Sequence, residues 1–361
     1  MAGRSWQRAA RWAAGASLGY LAWRTMRGRN AGDLAGNVVL ITGGSRGLGL
    51  ALAREFARHG CDLVICARDP VELENAKADL EGRGARVLAL TCDVTCRPEV
   101  EALVERAAER FGRVDVLVNN AGVIQVGPFE TMTVRDFERA MAVNFWGTVH
   151  ATLAVLPLMR AQRGGRIVNI TSIGGRVAIP HLTPYTCSKF AQRGFSEALR
   201  AELSGQGIAV TTVIPGLMRT GSPVNAYFKG RPTREFIWFS IGDSLPLTST
   251  SVARAARRIV EATRRREAVV TLTWQAKVLG AFHDLFPAAS AALLGLAARL
   301  LPGPGAGAVD TAREVRGMEL ASPLSPSPIT ALMNRAAREY NQYGGEPDPS
   351  PEHAARVGLS R

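Results

Sequence analysis

The stretch Val38-Val39-Leu40-Ile41-Thr42-Gly43-Gly44-Ser45-Arg46-Gly47-Leu48-Gly49 decides the fold. Its first five residues form an apolar, β-branched run of the kind found in fully buried strands. The run 48–59 that follows carries apolar residues at helical spacing. Glycines in the turn between a strand and a helix let the backbone approach a pyrophosphate, which the unpaired N–H groups and dipole of the helix start attract.

Outward from this unit, strand-like runs recur as DLVICA (62–67), RVLALT (86–91), VDVLVN (114–119), RIVNIT (166–171), IAVTTV (208–213) and AVVTLT (268–273). Helical patterns such as 98–111 separate them. The alternation predicts an α/β, Rossmann-like, doubly wound fold with a seven-stranded parallel sheet, as one catalytic domain over 35–273. Flanking it are a basic and apolar leader (1–34), an apolar helical extension (274–301) and a tail (302–361). Pro, Gly and Ser dominate the tail, which reads as mostly disordered apart from a helix over 329–340.

The chain carries 44 Lys and Arg against 31 Asp and Glu, a net charge of +13. The excess gathers in the leader and at Arg254, Arg257, Arg258, Arg264, Arg265 and Arg266. The stretch 254–266 contains no aromatic and reads as a solvated helix face, and no nucleic-acid partner is expected. Cys61, Cys66, Cys92, Cys96 and Cys187 lack the paired spacing of a zinc site, which predicts reduced thiols, no metal and a cytoplasmic catalytic domain. In the leader, the apolar run Trp12 to Trp23 is bounded by arginines and falls short of the roughly 20 residues that span a bilayer. Peripheral attachment at a membrane interface is the expectation, with an organellar targeting sequence or a plain tail as alternatives.

The loop spacing Thr-Gly-x-x-x-Gly-x-Gly (42–49) is accompanied by Asp93 after the third strand, Asn119-Asn120-Ala121-Gly122 after the fourth, and Asn144. Ser172, Tyr185-x-x-x-Lys189, and Pro215-Gly216 with Thr220 follow. Over 37–273 this set resembles the short-chain dehydrogenase/reductase family. Tyr185 and Lys189 lie four apart on a helical pattern, so they share one face. A phenol near pKa 10 is a poor base at neutrality, and an adjacent ammonium favours its phenolate.

The resemblance implies an oxidoreductase acting on a small-molecule carbonyl or alcohol, with Tyr185 as proton donor and acceptor. It implies that Ser172 polarises the substrate oxygen, that Lys189 also binds the nicotinamide ribose, and that Asn144 holds a water in the proton relay. It assigns Gly43, Ser45, Arg46, Gly47, Leu48 and Gly49 to the pyrophosphate loop, and Asp93 and Val94 to the adenine. Asn119, Ala121 and Gly122 would line the passage to the nicotinamide, the stretch 119–122 stabilising the sheet as well, with Pro215, Gly216 and Thr220 completing the cofactor site. A homodimer or homotetramer through the helices of Asn144 and Tyr185 is implied as well.

The second strand ends Cys66, Ala67, Arg68, with no carboxylate to receive a ribose 2′-hydroxyl. Arg68 and Arg46 suit a 2′-phosphate, so the expected cofactor is NADP (NADPH); Asp69 is the residue that would serve NAD instead. After Gly216, the segment 217–246 contains Tyr227, Phe228, Phe236, Ile237, Trp238 and Phe239. By resemblance it is a lid, and its apolar content points to a lipophilic substrate such as a lipid ketone, acyl, steroid or retinoid. His181 and Cys187 read as incidental. Two alternatives stand: a catalytically silent, membrane-associated binding protein on the same fold, and an epimerase or dehydratase of the family's extended branch, against which the loop spacing argues.

Overall fold

The structure is a computed structural model that describes residues 32–244, 249–305, 313–320 and 331–343. The N-terminal run expected at a membrane interface lies outside the described residues.

Seven strands form one parallel sheet: β1 (Val38–Thr42), β2 (Asp62–Ala67), β3 (Val87–Thr91), β4 (Val116–Asn119), β5 (Gly165–Ile170), β6 (Ile208–Ile214) and β7 (Val269–Thr271). Their order is β7-β6-β5-β4-β1-β2-β3. β1 and β4 are buried at every residue, as strands covered by helices on both faces must be. The chain runs outward from β1 in one direction and then from β4 in the other, and a ligand crevice opens at the carboxyl ends where the order reverses.

The helices are α1 (Gly47–Arg58), α2 (Pro70–Glu81), α3 (Arg97–Phe111), α4 (Val134–Ala140), α5 (Gly147–Ala161), α6 (Thr183–Leu203), α7 (Pro232–Ser244), α8 (Val252–Arg264), α9 (Trp274–Leu285), α10 (Pro287–Ala298) and α11 (Ala331–Glu339). On one face of the sheet, Leu50, Leu52 and Phe56 of α1 pack with Ile259 and Val260 of α8. On the other, Val100 and Leu103 of α3 pack with Val155 of α5 and Leu199 of α6. Between α4 and α5 the residues Met141–Trp146 form a turn of π-helix, and it carries the fully buried Asn144.

Strand ends differ from the sequence expectation where polar side chains have other partners. β4 starts at Val116 because the Asp115 carboxylate accepts the Val38 N–H at 2.9 Å and binds Arg113. β7 stops at Thr271, and Thr273 caps α9 by accepting the Ala276 N–H.

For 313–320 the expectation of disorder is corrected, while the helix expected over 329–340 is present as α11. Val315–Arg316 pairs antiparallel with Tyr227–Phe228, which pairs in turn with Gln125–Val126. α11 buries Met333 and Ala337 completely. It fits because Gly221, at φ +74°, has no side chain: a Cβ there would lie 2.5 Å from that of Ala337. Met333, Ala336 and Ala337, all buried, suffice to order a short helix whose flanks are rich in turn formers.

Candidate active site

A cavity of about 890 Å³ lies across the carboxyl ends of the strands. Of the residues expected to bind cofactor or substrate, Gly43, Ser45, Arg46, Gly47, Leu48, Arg68, Asp93, Val94, Ala121, Gly122, Ser172, Tyr185, Lys189, Pro215, Gly216 and Thr220 line it. Gly49, Asn119 and Asn144 stand behind its wall.

At one end is the glycine loop. Gly43 and Gly47 have positive φ (+64° and +55°), and a Cβ on Gly43 would lie 2.9 Å from the Ala121 Cα. Gly49 acts from behind, since a Cβ there would sit 2.0 Å from the Gly43 carbonyl oxygen. Asn120 fixes this turn, donating Nδ2 to the carbonyls of Thr42 (3.1 Å) and Gly43 (2.9 Å). The Thr42 hydroxyl accepts the N–H groups of Asn120 and Ala121. The loop is thus a backbone cradle at a helix start, a shape and polarity that fit a pyrophosphate.

Of the two roles expected for Asn119, the structure shows the one in the sheet. Its side chain is buried away from the cavity and donates to Asn169 Oδ1 at 2.8 Å, tying β4 to β5. Residues alternate sides along a strand and its extension, so Asn120 reaches the loop while Asn119 enters the sheet.

At the adenosine end, Arg46 forms an ion pair with Glu72, whose other oxygen accepts the Ser45 hydroxyl at 3.0 Å. Asp69 Oδ1 accepts the N–H groups of Val71 and Glu72, both at 2.9 Å, and so caps α2. Arg68 has no ion pair among the described residues.

At the opposite end the catalytic candidates converge. Ser172 follows β5 in extended conformation, with its Oγ accepting the Gly174 N–H at 3.0 Å. A Cβ on Gly174 would lie 3.3 Å from Tyr185 Cε1 and 3.4 Å from Ser172 Oγ, so both side chains face one small space. Tyr185 stands in the first turn of α6, and the Lys189 ammonium lies 5.8 Å from the centre of its ring. Lys189 Nζ donates to the Ile170 carbonyl (3.0 Å) and to Gln192 Oε1 (2.9 Å). Burial pushes its pKa down to about 7, because a low-dielectric site disfavours the charged amine.

Asn144 is held on three sides. Its Oδ1 accepts the Val123 N–H (2.9 Å), and its Nδ2 donates to the Val123 carbonyl (3.1 Å) and the Ser188 hydroxyl (2.8 Å). It meets Lys189 across Gly122, where a Cβ would lie 3.1 Å from Asn144 Oδ1 and 3.7 Å from Lys189 Nζ. The π turn aims Asn144 into this junction, a common use of such turns.

The substrate end is apolar: Ile124, Ile179, Leu182, Leu217, Trp238 and Phe239 line it. Sequence reasoning set His181 aside, yet it fastens this end. At φ +62° its Nδ1 lies 3.0 Å from both carboxylate oxygens of the buried Glu235, which also accepts the Trp238 indole N–H at 2.6 Å. Lys229 and Asp136 form a second buried pair, Nζ to Oδ2 at 2.6 Å. Only the three-dimensional fold brings these residues together, so no spacing announces them. Gln342 from the tail also lines the cavity, beside Gly47 and Thr220.

The pattern of the short chain dehydrogenase family matches residues 37–227. A dehydrogenase/reductase SDR family protein 7-like of Anopheles gambiae is 41% identical over 203 residues, 55% of this chain and 64% of the relative. Oxidoreductase UcpA of Escherichia coli K12 is 42% identical over 190 residues, 52% of this chain and 72% of the relative. A solved structure of a short chain dehydrogenase/reductase from Burkholderia phymatum, in complex with NAD, superposes with a TM-score of 0.64 at 26% identity, over 70% of this chain and 95% of its own.

Proposed function

Because the chain belongs to the short-chain dehydrogenase/reductase family of oxidoreductases, we propose that it interconverts a carbonyl and an alcohol with NADP(H), on a lipophilic substrate. The observation that carries this reading is the convergence of Ser172 and Tyr185 on one space, with Lys189 beside the phenol, at one end of a cavity whose other end is the glycine loop.

A nicotinamide bound there supplies or accepts the hydride at the substrate carbon. Tyr185 Oη then gives its proton to the carbonyl oxygen in reduction, or takes it from the alcohol in oxidation. Ser172 Oγ donates to the same oxygen, which holds it against the phenol and stabilises developing negative charge. Lys189 favours the phenolate when protonated. Asn144 is a positioning residue: it locks the 121–124 loop onto α6 through Val123 and Ser188.

The choice of NADP rests on Arg68 and Arg46 at the adenosine end and on Asp69, whose Oδ1 is committed to capping α2. The lipophilic substrate rests on the apolar lid end. A panel of aliphatic, steroid and small polar ketones, assayed with NADPH and NADH side by side, tests both. Turnover of apolar ketones with NADPH is expected; a preference for NADH sinks the cofactor choice, and a preference for polar ketones sinks the substrate class.

Two further parts of the reading concern the surface. Trp146 at the end of the π turn, Leu153 on α5 and Phe190 on α6 stand at least 42% exposed, which supports a homo-oligomer joined through these elements. Trp274, Val278, Leu285, Leu293 and Leu296 on α9 and α10, and Phe286 between them, are all more than half exposed. That apolar surface supports peripheral membrane contact, with the catalytic domain in the cytoplasm. Co-sedimentation with anionic vesicles, with and without Trp274→Glu and Leu285→Glu, checks the membrane contact; a full-length chain left in the supernatant at low salt ends that idea.

A further inference from the structure

The last described residues of the tail lie across the cofactor end of the cavity. α11 stops at Glu339, and Asn341, at φ +54°, turns the chain back on itself; asparagine tolerates this left-handed conformation better than most residues. The turn delivers three successive residues to the loops that flank the pyrophosphate cradle. The Tyr340 carbonyl accepts the Gly47 N–H at 2.8 Å. Asn341 Nδ2 donates to the carbonyls of Ser45 (3.0 Å) and Glu72 (2.9 Å). Gln342 Nε2 donates to the Thr220 carbonyl at 2.8 Å, while its Oε1 and its own carbonyl accept Asn225 Nδ2 at 2.9 and 2.7 Å.

These bonds join two parts of the chain that are far apart in sequence, the glycine loop with α2 on one side and the 220–225 loop on the other. The anchoring is built, not incidental. Gln342 is 4% exposed, Tyr340 is 6% exposed, and the Arg54 guanidinium lies 5.0 Å above the Tyr340 ring.

We propose that Tyr340, Asn341 and Gln342 form part of the cofactor site, a strap that holds the pyrophosphate half of the dinucleotide between the glycine loop and the 220–225 loop. The proposal rests on the reading of this cavity as a dinucleotide site. Two features favour retention over blockage. Gln342 contributes a wall to a cavity that still measures about 890 Å³ with the strap in place. Of the N–H groups that a helix start leaves without intrahelical partners, the strap takes that of Gly47, and Leu48, which lines the cavity, remains beside it to meet a phosphate oxygen. A dinucleotide beneath the strap leaves only after its hydrogen bonds open, so the strap acts chiefly on dissociation, the usual route by which affinity is tuned.

The test uses the full-length chain and its Asn341→Ala/Gln342→Ala variant. NADPH is bound, then chased with excess NADP⁺ while nicotinamide fluorescence is followed in stopped flow. The variant is expected to release NADPH at least tenfold faster. In the unaltered chain, hydrogen exchange at the amides of 338–343 is expected to slow when NADPH is added, a readout that needs no variant and no turnover. Unchanged release together with unchanged exchange overturns the strap, and so does tighter NADPH binding by the variant, which marks the tail as an inhibitor. If the unaltered chain binds neither NADPH nor NADH, the dinucleotide reading itself fails, a result separate from failure of the strap.

Discussion

At the cofactor end of the cavity the surfaces that meet a ligand are largely backbone, with glycines at Gly43 and Gly47 and carbonyls tied down by Asn120. At the lid end they are side chains, Trp238 and Phe239 among them, held by the His181–Glu235 contact and by Lys229 against Asp136. A backbone surface recognises what all dinucleotides share, and it is damaged by adding atoms. A side-chain surface recognises what one substrate has, and it changes with each substitution. Between the two lies the Ser172–Tyr185–Lys189 group, which belongs to neither end and serves both.

If that division is right, substitutions should separate turnover, stability and cofactor choice. The largest effect is expected from Tyr185→Phe, which removes only the proton that is transferred. General acid–base groups contribute about 10²–10⁴-fold. Turnover should fall about a thousandfold while NADPH affinity, followed by fluorescence titration, stays within about twofold. Retention of a tenth of the wild-type kcat would contradict the role.

Lys229→Met leaves the Asp136 carboxylate buried without its cation. Burial works against ionisation of that carboxyl, and Lys229 with the Thr133 N–H and hydroxyl overcomes it and holds the pKa below the ordinary carboxylate value. Loss of one partner of a buried pair costs about 3–5 kcal/mol, and urea unfolding should report a loss of that order. A loss below about 1 kcal/mol would show that water reaches the site. With the pair intact, its contribution is present above the ordinary carboxylate range and lost as pH falls through the lowered pKa.

Arg68→Ala tests the cofactor end. A charge-assisted contact to a 2′-phosphate is worth about 1.5–3 kcal/mol, so NADPH should bind at least tenfold more weakly and NADH within about twofold of before. Equal losses for both cofactors would remove the assignment. Glu72→Gln sharpens the same comparison: it releases Arg46 from its ion pair and should strengthen NADPH binding several-fold.

The last effect is a slope with pH, of up to about 1.4 kcal/mol for each pH unit. With its pKa near 7 in the folded, cofactor-free chain, Lys189 gives up its proton there, whereas in the unfolded chain it keeps the proton to about 10.4. Between these values the unfolded state binds more protons, so stability rises with pH. From pH 7 to pH 10 the Tm of the wild type should therefore gain on that of Lys189→Met. Parallel curves would show that the amine keeps its charge in the fold.

The comparison also explains what could be read from the chain before its fold. Short-range features carried the sheet and the cofactor loop: strand periodicity, glycines at a turn, and two groups four residues apart on α6. They placed Tyr185 and Lys189 correctly relative to one another. Between neighbours such as Asn119 and Asn120 the motif alone does not choose, because the choice depends on which side of the extended chain faces the loop. His181, Glu235, Asp136 and Lys229 act through partners 54 and 93 residues away, and no periodicity connects such positions. Asn341 and Gln342 are hidden most deeply, since an amide in a polar tail has no composition to distinguish it.

The π turn at Met141–Trp146 acts as a slack loop in the winding. It takes up one residue more than a regular turn at wider pitch, so the helices on either side keep their faces. Deleting a single residue there would restore a regular helix with the buried stripe of α5, Ala151, Val155 and Met159, still on the sheet, but it would remove the bulge that carries Asn144 to Val123 and Ser188. The extra residue therefore serves the site and not the packing: its loss should spare the fold and disturb the 121–124 loop.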